Sequence, residues 1–328
     1  MPGEATEDVG RGEADALARL RRLLPEPPPG ETWMGDDAAV LRVAGSERSM
    51  LLATDTVVAG VDADLDLTTL GDLGWKAMAV NLSDIAAMGG LPWCAVVSVV
   101  GLGGTDLEEL YAGALEAADR YSCPVVGGDL SGGGQVVVTV AITGWSDRPV
   151  LRNGARPGDA IWVTAPLGAA AAGLRLLRDQ ARRARPAPGA SRDPLEGASA
   201  DRSALARAHA RPRPALDEGL AARDAGATAM IDVSDGFGVD LGHLAAGSGV
   251  GLELSEVPVA AGATEEEAMG GGDDYVLAFT LPPGKDPLRL FRARGLTAPS
   301  MVGRCTTDPG RRRYGGKELV AGGWEHRL

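Results

Sequence analysis

Long apolar runs are missing from this chain of 328 residues: no stretch approaches the ~18 residues that a membrane-spanning helix requires. Cysteine is scarce. Cys94, Cys123 and Cys305 are odd in number and far apart, which argues against a disulfide framework or a zinc knuckle and favours a reducing cytosol. Lysine occurs only at Lys76, Lys285 and Lys317, so almost all basic charge is arginine. Gly284-Lys285 lacks the upstream glycine spacing and the following Ser or Thr of a P-loop, and no GxGxxG follows a strand. A nucleotide site here needs another way to neutralise phosphate. Basic residues are also outnumbered, 32 Lys and Arg against 45 Asp and Glu, for a net charge of −13. That balance disfavours nucleic acid as a partner, because a phosphate backbone needs a basic face. The acidic, polar start (1–12) matches neither a signal nor a transit peptide, so a cytoplasmic location is expected.

What is present is ordinary for a globular protein, with 45% apolar and 23% charged residues, and the length suggests two domains. Residues 1–30 read as a mobile start, a short helix at 14–24 and a proline-rich connector. Apolar periodicity then predicts strands at 50–58, 93–100 and 135–143, and helices at 70–88 and 106–121. A short strand at 124–126 should run into the turn Gly127-Gly128-Asp129. The first domain spans 31–148. The second, 149–328, is expected to hold strands at 160–164, 229–233, 251–254 and 275–281, with helices at 169–182 and 236–246. Residues 178–213 carry nine Arg against four acidic residues among Pro, Ala and Ser, so 183–212 reads as a flexible insertion that folding does not need. Interleaved strands and helices in both halves predict an α/β protein of α+β type.

Aspartates recur where apolar segments meet glycines: Asp36-Asp37, Thr54-Asp55-Thr56, Asn81-Leu82-Ser83-Asp84, Gly128-Asp129, Asp232-Val233-Ser234-Asp235 and Asp273-Asp274. Any one of them has a plain reading as a helix cap or a turn residue. Asp84 is harder to dismiss. It lies in a helix that is apolar all round, where a buried carboxylate is costly unless paired or bound to metal, and the nearest basic residue, Lys76, is two turns away. Converging carboxylates would favour Mg²⁺, Mn²⁺ or Ca²⁺ over zinc. With glycine-rich turns able to face phosphate, metal-bridged nucleotide binding is the leading reading.

The series GDDAAV, TDTVVAG, GWKAMAVNLSDIAAMG, GGDLSGG, IDVSDGFGVDLGHL and GGDDY resembles the thiamine-monophosphate kinase family of the aminoimidazole-ribonucleotide-synthetase-like superfamily. The resemblance covers about 30–328, apart from the arginine-rich stretch. It implies an N-terminal sheet-plus-helices domain that dimerises through its sheet and a C-terminal α/β domain. It also implies ATP-dependent conversion of thiamine monophosphate to thiamine diphosphate with several Mg²⁺ ions. Metal ligands would fall on Asp37, Thr54, Asp55, Asp84, Asp129, Asp232 and Asp235. Nucleotide contacts would fall on Gly128, Asp129, Arg152, Ser234 and Tyr111, and substrate contacts on Asp62, Asp273 and Trp324. No general base is implied, because the accepting phosphate is already an anion. Ala53 stands where the family has a serine, Asp62 where it often has a histidine, and Asp273 where it has a glutamate. The alternatives are a purine-pathway synthetase of the same superfamily and a non-catalytic, acidic calcium-binding domain.

Overall fold

The computed structural model describes residues 13–183, 200–319 and 322–324. After α1 (Glu13–Arg21), the first half runs β1 (Ala39–Arg42), β2 (Ser49–Val58), α2 (Leu70–Ala87), β3 (Leu91–Gly101), α3 (Leu107–Arg120), β4 (Val125–Gly132) and β5 (Val137–Ser146). Its strands form one sheet in the order β1-β2-β5-β3-β4, antiparallel except for the β3–β4 pair. The strict alternation of burial along β5 is the period-2 signature of a sheet covered on one face. Leu51, Val57, Val97, Val99, Val138, Val140 and Ile142 are buried on that face, with α2 against it. The other face carries exposed Leu52, Thr54, Thr56, Trp93 and Val96.

The second half runs β6 (Ala160–Val163), α4 (Ala169–Arg183), α5 (Ala200–Ala210), α6 (Leu216–Ala225), β7 (Ala229–Asp232), α7 (Phe237–Ser248) and β8 (Gly251–Leu254). It continues through α8 (Glu265–Gly270), β9 (Leu277–Leu281), α9 (Leu288–Ala293), β10 (Ser300–Thr306), β11 (Arg312–Tyr314) and β12 (Lys317–Glu318). Its sheet has the order β12-β11-β8-β10-β6-β9-β7. Among the described residues no helix is long and apolar enough to cross a membrane.

Helix α2 joins the two halves. Thr69 starts it with a capping box, its hydroxyl accepting from Asp72 N while Asp72 returns a carboxylate to Thr69 N. Fifteen of its eighteen residues are buried, because the first sheet covers one side and α6 and β7 cover another. Met78, Leu82 and Ile85 are wholly buried, each worth roughly 1.5–3 kcal/mol of removal from water. Gly219 of α6 lets the helices meet, since a Cβ there would come within 2.2 Å of Ala86 O.

Two sequence expectations change. The stretch 200–212 is not a flexible insertion: α5 packs on α4, with Ala206 and His209 buried, and the Trp75 indole donates to Pro212 O at 2.9 Å. Its low apolar content misled, because the contacts are made by small residues and by cations. Arg211 alone pairs with Asp72 and Glu116 and lies over the Trp75 ring. Residues 184–199 of that stretch lie outside the described residues, as does the start expected to be mobile, 1–12. Gly127-Gly128-Asp129 is not a turn but the middle of β4, paired in register with β3.

Candidate active site

Asp84 is the one residue of α2 beyond its first turn that is only half-buried, so a carboxylate looks out of an otherwise enclosed helix. Its neighbours explain the motif around it. Asn81 Oδ1 accepts from Asp55 N at 2.9 Å and its amide donates to Ala77 O, which ties α2 to β2. Ser83 Oγ donates to Asp232 Oδ2 at 2.6 Å, which ties α2 to the end of β7. Asp84 is left facing Asp37 and Asp232.

Carboxylate oxygens of Asp37, Asp84 and Asp232 all lie within 4.8 Å of one another, the only such group of acidic, His or Cys side chains among the described residues. Burial pushes the carboxyl of Asp84 well above the usual range, and Asp55, Asp232 and Asp37 push it the same way. Burial does the same for Asp37, reinforced by Asp232 and Asp36 and opposed by Arg152. Asp232 is raised by burial and moderated by Ser83. Like charges at this spacing repel by roughly 1–4 kcal/mol per pair. Arg152 offsets part of this: its backbone N–H donates to Asp36 and its guanidinium to Asp37. It does not complete the shell, because Asp37 Oδ2 is buried without a hydrogen-bond partner. An all-oxygen, carboxylate-rich set with an unsatisfied buried oxygen fits a hard divalent cation.

The loop after β7 is shaped by a residue that the sequence did not single out. Asp240 Oδ2 accepts from the backbone N–H groups of Ser234, Asp235 and Gly236, each at 3.1 Å. Burial, Asp235 and Asp232 push its carboxyl up to about 8. The two aspartates of GGDDY separate in role. Asp274 accepts from Gly168 N at 2.5 Å and Ala170 N at 3.2 Å, capping the start of α4. Asp273 turns inward, with Lys76 Nζ at 2.8 Å from Oδ2 and the Tyr275 hydroxyl donating to Oδ1 at 3.2 Å. Its backbone N–H donates to Ser234 O at 2.7 Å, so the two loops are continuous.

The structure thus gathers Asp37, Asp84 and Asp232 with Asp55 close enough to perturb Asp84, while other expected site residues fall elsewhere. Thr54 donates to Val140 O from the uncovered sheet face, away from the cluster. Asp129 sits exposed on the edge strand β4, in the row of Ser98, Thr139 and Thr56 on that same face. Gly128 answers a packing need, since a Cβ there would lie 1.8 Å from Val97 O. The Tyr111 hydroxyl donates to Val97 O at 3.3 Å. Arg152, expected at the nucleotide, is engaged by Asp36 and Asp37, and Ser234 lies between Asp240 and Asp273. Asp62 Oδ2 closes its own turn by accepting from Val58 N at 2.8 Å. Half-exposed Trp324 donates its backbone N–H to Asp235 O, which sets this residue beside the loop that carries Asp235. Asp36, Lys76, His209, Asp240 and Tyr275 were not expected. Asp36, Lys76, Asp240 and Tyr275 do lie within the motif segments quoted above, and of the five only His209 carried no signal.

Comparison with known proteins matches residues 35–146 to the AIR synthase related protein N-terminal domain and residues 156–315 to the C-terminal domain of the same description. A thiamine-monophosphate kinase of Rhodopirellula baltica is 35% identical over 296 residues, covering 83% of this chain and 82% of its own. One of Mycobacterium tuberculosis is 38% identical over 258 residues, covering 76% and 71%. A solved structure described as AaThiL complexed with AMPPCP and TMP superposes with a TM-score of 0.80 at 30% identity, covering 96% of this chain and 97% of that one.

Proposed function

This chain belongs to the AIR synthase related family, among its thiamine-monophosphate kinases, and from that premise we propose that it transfers the γ-phosphoryl group of ATP to thiamine monophosphate, yielding thiamine diphosphate and ADP. The observation that carries the reading is the near full-length likeness to a structure holding AMPPCP, an ATP analogue, together with TMP. The acidic cluster agrees with it, because a P-loop is absent and the phosphates need another source of positive charge.

Asp37, Asp84 and Asp232 would hold Mg²⁺, with Asp55 beside them, while Thr54 and Asp129, on the uncovered face of the sheet, and Asp235 would serve separate ions rather than this cluster. Bound Mg²⁺ would supply charge neutralisation between a triphosphate and a monophosphate that otherwise repel. The chain's own residues supply position. Asn81 and Ser83 fix α2 to β2 and β7, so the carboxylates of both halves keep one geometry. Arg152 holds Asp36 and Asp37 and presents positive charge beside the cluster for the nucleotide, to which Gly128, Asp129, Ser234 and Tyr111 are further contacts. Asp62, Asp273 and Trp324 would receive thiamine monophosphate, the indole stacking on its rings. A phosphate oxygen of thiamine monophosphate then attacks the γ-phosphorus in line, and the bond to the β,γ-bridging oxygen breaks to release ADP. The attacking group is already an anion, so no side chain has to take a proton, and the task reduces to alignment.

The same reading assigns 31–148 and 149–328 as the two domains. It also gives the uncovered face of the first sheet, with Leu52, Trp93 and Val96 exposed, to a second copy of the chain. Three free cysteines, two of them buried with thiols pushed up to about 12, suit a reducing cytoplasm, and their burial argues against a cysteine nucleophile at Cys123 or Cys305. Incubation with Mg²⁺, ATP and thiamine monophosphate should give thiamine diphosphate and ADP in equal amounts by mass spectrometry. Absence of both from folded, metal-replete protein would refute the reading.

A further inference from the structure

Lys76 is a buried lysine in the second turn of α2, 3% exposed, and its ammonium has two acceptors. One is Asp273 Oδ2 at 2.8 Å, and the other is the backbone oxygen of Asp62, also at 2.8 Å. These belong to the two segments assigned above to thiamine monophosphate, one from each half of the chain. Asp62 reaches the site through its carbonyl, since its own carboxylate closes the turn onto Val58 N.

The grip on Asp273 comes from several sides. Tyr275 donates to Oδ1, while His209 Nδ1 lies 3.7 Å from Oδ2. His209 arrives from α5 and is itself buried. The backbone is left-handed at Gly272, Asp273 and Tyr275, with φ of 67°, 59° and 49°. Side-chain-bearing residues hold that conformation only where the surroundings over-determine it. Asp273 is therefore held by contacts from α2, α5 and its own loop, and Lys76 is the contact that also holds the Asp62 turn.

We propose that Lys76 is a positioning residue for thiamine-monophosphate recognition, its ammonium fixing the Asp273 carboxylate and the Asp62 turn in one arrangement across the two halves of the chain. A carboxylate so oriented suits a cationic ligand that bears an amino donor, which describes the aminopyrimidine and thiazolium of thiamine. Lys76 acts through Asp273 and Asp62. This inference rests on the proposed substrate, and its signature is selective: affinity for thiamine monophosphate changes while that for ATP does not.

Steady-state kinetics on the full chain would compare wild type, Lys76→Arg, Lys76→Met, Asp273→Asn and the double variant Lys76→Met/Asp273→Asn, varying each substrate in turn. The double variant leaves neither charge unpaired, so it keeps the test open should Lys76→Met alone fail to fold. Lys76→Met is expected to raise KM for thiamine monophosphate about ten-fold or more, with KM for ATP changed less than about two-fold. Lys76→Arg, which keeps the charge, should recover part of the loss. The double variant should be no worse than Asp273→Asn alone, because the two residues act as one unit. A folded double variant with wild-type KM for thiamine monophosphate would overturn the inference, as would equal rises for both substrates. Should wild type itself fail to turn over thiamine monophosphate, the proposed function falls and takes this inference with it.

Discussion

Ser83 Oγ and Asp232 Oδ2 are 2.6 Å apart, so a helix of the first half and a strand end of the second meet by hydrogen bond inside the acidic cluster. The cluster is therefore a property of the junction. Asp84 comes with α2, Asp37 with the segment before β1, and Asp232 with β7. Whatever binds the three carboxylates also fastens the two sheets together.

Asp84→Asn keeps the shape of the side chain and removes its charge. We expect kcat to fall at least ~100-fold, since loss or misplacement of a metal removes several kcal/mol of transition-state stabilisation. Metal-free protein should respond oppositely, with an equal or higher Tm, because repulsion from Asp55, Asp232 and Asp37 is relieved. A lower apo Tm with normal turnover per folded molecule would mark Asp84 as structural.

The sequence made the aspartates of the cluster legible, because Asp84 interrupts an apolar helix and Asp37 and Asp232 sit beside apolar strands. It also made α2 and most strands of the first sheet legible by periodicity. What it hid was partnership across the chain. The cation beside Asp37 is Arg152, 115 residues away in sequence, and Asp273 pairs with Lys76 at a separation of 197. Composition hid α5 as well, since its docking relies on Ala206, His209 and the arginine that follows, and none of these forms an apolar stripe. Asp240 was indistinguishable from a surface aspartate until its three backbone donors were seen.

Trp324 tests the substrate end of the site. Half-exposed and set beside the Asp235 loop, it offers a stacking surface worth ~1 kcal/mol or somewhat more. Trp324→Ala should raise KM for thiamine monophosphate several-fold and leave KM for ATP nearly unchanged. Equal rises in both would indicate general damage to the fold.

Arg211 tests whether the segment once expected to be dispensable is part of the fold. It pairs with Asp72 at 2.5 Å and Glu116 at 2.7 Å and lies 5.6 Å from the Trp75 ring centroid. Two partly exposed ion pairs, a cation–π contact and the buried stem together suggest that Arg211→Ala costs about 1–2 kcal/mol in urea unfolding. No measurable change would show that this contact does not hold α5 in place.

Asp274 predicts a pH dependence. Burial raises its carboxyl to about 6 from an ordinary 3.8, so protonated Asp274 favours the folded state. Its contribution is full below about pH 4 and is lost as the pH rises through about 6. The stability of wild type relative to Asp274→Asn should thus decline between those limits, by roughly 2–3 kcal/mol for two units of displacement. A difference that stays flat or grows with pH would show that the N–H groups of Gly168 and Ala170 outweigh burial.

The proposed reaction requires ATP's terminal phosphoryl group to pass directly to the phosphate of thiamine monophosphate. ATP labelled with ³²P at the γ-position follows that group most directly. Under single-turnover conditions with Mg²⁺, the label should appear in the terminal phosphate of thiamine diphosphate, in step with ADP and with little free phosphate. Label recovered only as inorganic phosphate, or ADP formed at the same rate without thiamine monophosphate, would contradict it.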